Sequence, residues 1–377
     1  MKPNGIPFLA SILLPALLSA GCQYEALDAA KGLTSLRVTL ENEGGSAAHP
    51  LDPGAGLPVQ VKVEALDETG REMSGYEGHL TFRAKTGFLG RNGWEEADVE
   101  GGDTVTLSLV RGFGPVRILA EDTEHFVVGV SEPVYLPEPT LSTIQTPTGS
   151  IDASPWADNF LRIESGRMVV TYAAGSGFYA TDVRGSSYNH LYIYTHGFPS
   201  VDRGDVLSWV SGTVSEFYGF TELSFPDYGV RCHDHPLPEP VALTKAMLAD
   251  DAAMESLEGG LVSAGNVSVA YVNTDAFFKY GQWSGRTGDG GAVTVMSLDA
   301  LPEFNPLLEK GVRFEKLTGV LRQHWSADSG APKGIGSEWI LTPRDLCDVT
   351  GYGDRPDACD DEPPATDCDF GEGDAEN

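Results

Sequence analysis

Alternating apolar and polar positions dominate the chain from residue 36 onward. Leu36-Arg-Val-Thr-Leu40, Val59-Gln-Val-Lys-Val63, His79-Leu-Thr-Phe82, Thr104-Val-Thr-Leu-Ser-Leu109 and Val116-Arg-Ile-Leu119 each repeat with a period of two. Successive strand side chains point to opposite faces, so these runs predict half-buried antiparallel strands. Gly, Pro and Asp separate them, as turns require. Together they predict a β-sandwich over residues 34–137. That stretch holds no cysteine, so no disulfide is expected within it.

Pro137-Glu-Pro139 marks a boundary. A second β module follows over 141–233, with strands at Arg167–Tyr172, Gly177–Asp182, His190–Tyr194 and Val206–Val214. Pro236-Leu-Pro-Glu-Pro240 marks the next boundary. The third module, 241–349, opens with Ala, Leu and Met spaced for one helix, Leu243 to Leu257, closed by Glu258-Gly259. Strand patterning then returns at Leu261-Val-Ser, Val267–Tyr271, Ala292–Met296, Val312-Arg-Phe and Leu317–Leu321. Gly204 and Gly212 have seven residues between them, with Val206, Val210 and Val214 around them, and Gly311 and Gly319 repeat that spacing, with Phe314, Leu317, Val320 and Leu321, which suggests an internal repeat. The fold class expected is all-β, a sandwich followed by two small barrels, with one short helix before the second. Residues 350–377 form an acidic, cysteine-containing tail too poor in apolar residues to bury a core.

Three stretches carry resemblances. Val59-Gln-Val-Lys-Val-Glu-Ala-Leu-Asp-Glu-Thr-Gly70 is similar to the immunoglobulin-like domains of bacterial surface proteins. Arg203 to Leu223, with a Gly-Asp turn, a mid-strand Gly and a Glu-Phe-Tyr-Gly-Phe-Thr-Glu-Leu hairpin, resembles the OB-fold modules attached to extracellular bacterial nucleases. Leu257-Glu-Gly-Gly-Leu-Val262 and Pro343-Arg-Asp-Leu-Cys-Asp348 resemble the opening and close of the second such module. The resemblance spans 141–349 and implies two OB-like barrels. Hydrolysis in those nucleases belongs to a separate catalytic domain, which is not expected here, and a shared fold does not transfer activity.

The N-terminus is patterned differently. Lys2 precedes an apolar stretch, Ile6 to Leu18, and Leu18-Ser-Ala-Gly-Cys22 follows. Thirteen residues suit the apolar core of a signal peptide and are too few to span a bilayer. The segment resembles a bacterial lipoprotein signal. That resemblance implies removal of residues 1–21, acylation of Cys22, and a tether over 22–33. The membrane is then a partner through the lipid anchor. Gln23, where Asp would favour inner-membrane retention, points to the outer membrane.

Charge narrows the partners. The chain carries a net charge of −30. Residues 1–21 hold one base and no acid, so their removal leaves 24 basic against 55 acidic residues, a net of −31. Such a surface repels phosphate backbones, so nucleic acid is not the expected partner. Apart from Cys22, the cysteines are Cys232, Cys347, Cys359 and Cys368. An even count in an exported protein predicts two disulfides, with three pairings available. Proximity favours Cys359 with Cys368, leaving Cys232 with Cys347.

Aromatic residues crowd the second module: Phe178, Tyr179, Tyr192, Tyr194, Trp209, Phe217, Tyr218 and Phe220. Tyr192 and Tyr194 share one strand face, opposite Leu191 and Ile193. With Phe217 and Tyr218 they form a candidate ligand platform, since OB-folds stack bases or sugars on such rings. Residues 151–240 hold eleven acids against five Arg/Lys, so an uncharged glycan suits the platform better than nucleic acid. Cys232-His233-Asp234-His235 carries metal-ligating atoms, but neighbours on an extended loop point apart. The tail carboxylates Asp354, Asp357, Asp360, Asp361, Glu362, Asp367 and Asp369 lack the spacing of a calcium loop. No cofactor is expected, with a divalent cation as the alternative. No Gly-x-Ser-x-Gly, His-Glu-x-x-His, P-loop or dinucleotide motif occurs. The expectation is a non-catalytic envelope protein that binds a glycan or an envelope protein, or acts as a spacer or scaffold. The alternatives are an accessory module presenting nucleic acid or glycan to a secreted enzyme, and a hydrolase with an unrecognised site.

Overall fold

The computed structural model describes residues 32–54, 56–147, 153–185, 187–324, 338–354, 356–360 and 368. The signal segment, Cys22, most of the tether, and tail residues Asp361, Glu362, Asp367 and Asp369 lie outside them. The chain is all-β and divides into two compact units, 1–135 and 136–377.

The first unit contains β1 (Leu33–Leu40), β2 (Leu57–Asp67), β3 (Glu77–Leu89), β4 (Trp94–Glu100), β5 (Thr104–Asp122) and β6 (Val127–Tyr135). They form one antiparallel sheet in the order β1-β2-β5-β3-β4, with β6 also on β5. The period-two reading holds: Val59, Val61 and Val63 are buried while Gln60 is exposed. The two strands expected at 104–109 and 116–119 are one strand of 19 residues. Its first half pairs with β2 and its second half with β3 and β6. Gly114, at φ +57°, lies between the halves, where a left-handed residue lets the strand change layer. The sandwich is therefore one sheet folded over. Gly129 of β6 sits so close to Leu36 of β1 that a Cβ there would strike the Leu36 carbonyl. Strand β4 was not foreseen, because Trp-Glu-Glu-Ala-Asp-Val-Glu reads as polar loop, and neither was β6.

Tyr76 and Asp122 pin this core. Tyr76 donates to Asp122 Oδ2 at 2.7 Å, and His125 Nδ1 lies 2.8 Å from the same oxygen. Burial works against the Asp122 charge. Hydrogen bonds from Tyr76 and His125 outweigh it and hold the carboxyl below its ordinary pKa.

The second unit opens with α1 (Leu141–Gln145), capped by Thr140. A closed barrel follows: β7 (Phe160–Ala174), β8 (Gly177–Asp182), β9 (His190–Tyr194), β10 (Val206–Phe217) and β11 (Phe220–Cys232). Neighbours run β7-β8-β9-β11-β10 and back to β7, with β9 parallel to β11 and the other pairs antiparallel. Phe178, Leu191, Ile193, Val210, Val214 and Leu223 are fully buried.

The remaining elements are β12 (Val241–Ala242), α2 (Asp251–Glu255), β13 (Leu261–Tyr271), α3 (Thr274–Tyr280), β14 (Gln282–Arg286), β15 (Ala292–Met296), β16 (Arg313–His324), β17 (Glu338–Thr342) and β18 (Val349–Thr350). Strands β13-β14-β15-β17-β16 repeat the order of the first barrel, close through β13–β16, and keep the parallel third and fifth strands. These are the two OB-like barrels expected. Trp283, Phe304 and Phe314 meet at the centre of the second, with ring centroids 5.3 to 5.7 Å apart.

The glycine repeat has a structural meaning. Gly204 and Gly311 take φ of +92° and +86° and lead into β10 and β16, the fourth strand of each barrel. Gly212 and Gly319 lie inside those strands. A Cβ at Gly212 would come within 2.8 Å of Leu223 and the Ser224 carbonyl on β11. One at Gly319 would strike the Thr342 carbonyl on β17. Each barrel therefore closes its fourth strand over its fifth at a residue without a side chain.

The helix expected over Leu243–Leu257 is corrected. A 3-10 turn at Met247–Ala249 comes first, and Asp250 then takes an extended conformation. Its carboxylate accepts from Ala252 N and Ala253 N, starting a separate five-residue helix. Apolar spacing alone does not register that internal cap. The seven-residue α3 was not foreseen.

Both disulfides form, but the favoured pairing is also corrected: Cys232 bonds Cys368, and Cys347 bonds Cys359. Cys347 lies in a 3-10 turn capped by Asp345, opposite the turn at Asp357–Asp360. Cys368 returns to the end of β11, where Val169, Val206 and Leu237 pack around the bond. Closeness in sequence misled because each tail cysteine meets a different barrel.

The phrases singled out at 257–262 and 343–348 form the seam between barrels. Glu258 accepts from Thr221 N at 3.1 Å. Gly260 lies against the His190 ring, where a Cβ would come within 2.6 Å of it. Arg203 pairs with Asp345 at 2.6 Å.

Candidate functional site

The candidate face is built on β8, β9 and β11. Register places Tyr179 opposite Tyr192, Glu222 beside Tyr192, and Ser224 beside Tyr194. Alternation then puts Tyr179, Tyr192, Tyr194, Phe220, Glu222 and Ser224 on one side. Phe178, Leu191, Ile193 and Leu223 fill the barrel on the other. The tyrosines thus stand outside the barrel, as the aliphatic positions between them implied. Gly177 makes room for Tyr192, whose hydroxyl would lie 2.6 Å from a Cβ there.

The rings form a continuous row. Tyr172 to Tyr179 is 6.0 Å between centroids, Tyr179 to Tyr192 4.8 Å, and Tyr192 to Tyr194 6.4 Å. The row continues from Tyr194 to His196 at 4.2 Å and from His196 to Phe225 at 4.5 Å. Its two ends differ. Tyr179 and Phe220 are buried with Val320 of β16, which covers that end. The other end is open, with Phe225 75% exposed. Phe217 and Tyr218 do not join the row. They sit at the β10–β11 hairpin, T-shaped at 4.8 Å, and Tyr218 stacks on His324 at 5.1 Å. The four platform residues therefore divide between two places.

The backbone at the open end is strained. His196 takes φ +60°, Phe225 φ +51°, and hairpin Tyr218 φ +54°. Left-handed backbone costs a bulky residue on the order of 1 kcal/mol or more, and such strain concentrates at functional sites. Polar groups flank the rings. Ser215 and Ser224 donate to Glu222 Oε1 at 3.2 and 3.1 Å. Burial raises the Glu222 pKa, and the serine hydrogen bonds and the charges of His196 and Arg322 moderate it. Arg322 of β16 reaches over Phe220 at 5.8 Å.

Stacked rings beside hydroxyls and a carboxylate can hold the apolar face of a sugar and its hydroxyls. His196, Phe225 and Arg322 were absent from the sequence reading. His196 continues the alternation of Tyr192 and Tyr194 and was legible. Arg322 comes from the other barrel and was not.

The other candidates come apart. Cys232 sulfur is spent in a disulfide. His233 Nδ1 lies 2.6 Å from Asp205 Oδ1, and His235 Nδ1 lies 2.7 Å from the Pro236 carbonyl. Among the described residues no three His, Cys, Asp or Glu side chains converge as metal ligands. Among them, too, no helix is long and apolar enough to cross a membrane.

No family model and no curated protein matches the chain. Among solved structures, dimeric latent PorU from Porphyromonas gingivalis is similar at 9% identity and a TM-score of 0.19. The match covers 82% of this chain and 34% of that one, so the chain spans about a third of that protein.

Proposed function

We propose that this is an exported, lipid-anchored, non-catalytic protein of the cell envelope that binds carbohydrate on the aromatic face of its first barrel. The observation that carries the reading is the row Tyr192–Tyr194–His196–Phe225, which ends in exposed rings on strained backbone. Two disulfides support export, because they persist in oxidising compartments. The net charge of −30 disfavours phosphate-bearing ligands and leaves uncharged glycans unopposed.

The test is affinity electrophoresis of the full chain through gels containing neutral polysaccharides. Retardation by at least one polysaccharide, lost in a Tyr194→Ala/Phe225→Ala variant, is expected. Mobility unaffected by every polysaccharide refutes carbohydrate binding. Retention on a single-stranded oligonucleotide at moderate salt favours the accessory nucleic-acid reading instead. Anchoring is read separately: radiolabelled palmitate enters the chain and is lost in Cys22→Ser.

A further inference from the structure

Strands β14, β15 and β17 occupy in the second barrel the places that β8, β9 and β11 hold in the first. Their outer side bears no row of rings. Gln282 and Ser284 of β14, Thr294 of β15 and Glu338 of β17 line a cleft of about 230 Å³ instead, with Tyr271, Asn273, Ala276 and Trp283 completing it.

These groups are unlike those that merely hold a barrel together. Trp283, between Gln282 and Ser284, points into the core and donates to Ser297 at 3.0 Å. Gln282 and Ser284 point outward, and among the described residues neither side chain has a hydrogen-bond partner. Asn273 Oδ1 is occupied by the α3 backbone, accepting from Asp275 N and Ala276 N, which leaves its amide nitrogen to donate. Thr294 donates to Glu338 Oε1 at 2.9 Å, which holds that carboxylate at the rim as an acceptor. Tyr271 is 64% exposed, so much of its ring stands open at the cleft.

The set selects its ligand. A carboxylate at the mouth of a strongly acidic protein repels anions. The amides and hydroxyls of Asn273, Gln282, Ser284 and Thr294 would lose their water to an aliphatic ligand with nothing to replace it. Volume limits size, since sites for drug-sized molecules run to roughly 300–1,000 Å³. The geometry points to a second carbohydrate subsite that takes one neutral pyranose unit. Its apolar face stacks on Tyr271. Its hydroxyls accept from Gln282 and Asn273, donate to Glu338, and exchange with Ser284. The site stands independently of the aromatic face on the first barrel.

Calorimetric titration tests it, with the full chain in the Tyr194→Ala/Phe225→Ala background so that only the second barrel is read. The probes are neutral hexasaccharides of glucose, mannose, xylose and N-acetylglucosamine. At least one is expected to bind. Tyr271→Ala is expected to weaken that binding about tenfold or more, and Ser284→Trp, which fills the cleft, to abolish it. Gln282→Ala is the milder second variant and is expected to weaken it severalfold without altering thermal unfolding. Absence of binding by all four probes overturns the site. Affinity unchanged in Tyr271→Ala and Ser284→Trp overturns it equally, and neither result bears on the first barrel.

Discussion

Arg344 of the second barrel donates from Nη1 to the Thr171 carbonyl of the first at 2.9 Å, while Asp348 holds its Nε and Nη2. The two charged side chains are 6% and 5% exposed. Removing one partner leaves the other charged and buried, which typically costs about 3–5 kcal/mol. Arg344→Ala is therefore expected to lower the urea midpoint of the second unit by that equivalent. Arg344→Ala/Asp348→Ala is expected to cost less than the two single changes summed. A single-variant loss below about 1 kcal/mol refutes the seam's dependence on this pair.

Acid weakens the same seam elsewhere. Burial lowers the pKa of His190 from 6.5 to about 4. The unfolded chain then binds a proton that the folded one refuses, so stability rises with pH between those values. The contribution is fully present above about pH 6.5, declines through the window, and falls no further below about pH 4. Its size is on the order of 3 kcal/mol. Thermal melts at pH 7 and pH 4.5 are expected to diverge less in His190→Gln than in the parent chain. Equal divergence removes His190 from the account.

Gly319→Ala is expected to destabilise the second barrel by about 1–3 kcal/mol, because the new methyl meets the Thr342 carbonyl on the closing strand. Gly265→Ala is the matched control, since nothing lies within 4 Å of a Cβ there. Guanidinium unfolding of the two variants reads the contrast directly.

Phe225→Gly is expected to move stability and binding in opposite directions. Glycine relieves the left-handed backbone at φ +51° and stabilises by roughly 1 kcal/mol, while the exposed ring is lost. Differential scanning calorimetry should show a higher midpoint in the variant that polysaccharide gels retard less. A lower midpoint contradicts the strain argument.

Period-two alternation made most strands legible, because a half-buried strand writes its two faces directly into the sequence. It failed at β4, where Glu95 and Glu96 mask the pattern, and at β5, where one strand serves two layers, and it missed β6, β14 and β17. The Gly-x7-Gly echo located the fourth strand of each barrel, since close crossing of strands demands a missing side chain. Tyr192 and Tyr194 were placed correctly from their alternation with Leu191 and Ile193. What covers Tyr192 was not legible, because Val320 and Arg322 arrive from more than a hundred residues away. Cys368 likewise reaches Cys232 from 136 residues away, while Cys359 meets Cys347 only 12 residues off.

The bond from Cys232 to Cys368 closes a covalent ring around the whole second barrel, with the Cys347–Cys359 loop nested inside it. A protease that cuts once between residues 233 and 367 therefore opens the ring without releasing a fragment. Both halves stay on one molecule until a reductant reaches the sulfurs. Wherever a peptidase reaches it, the barrel can be nicked and remain in register, so the damage shows only on a reducing gel.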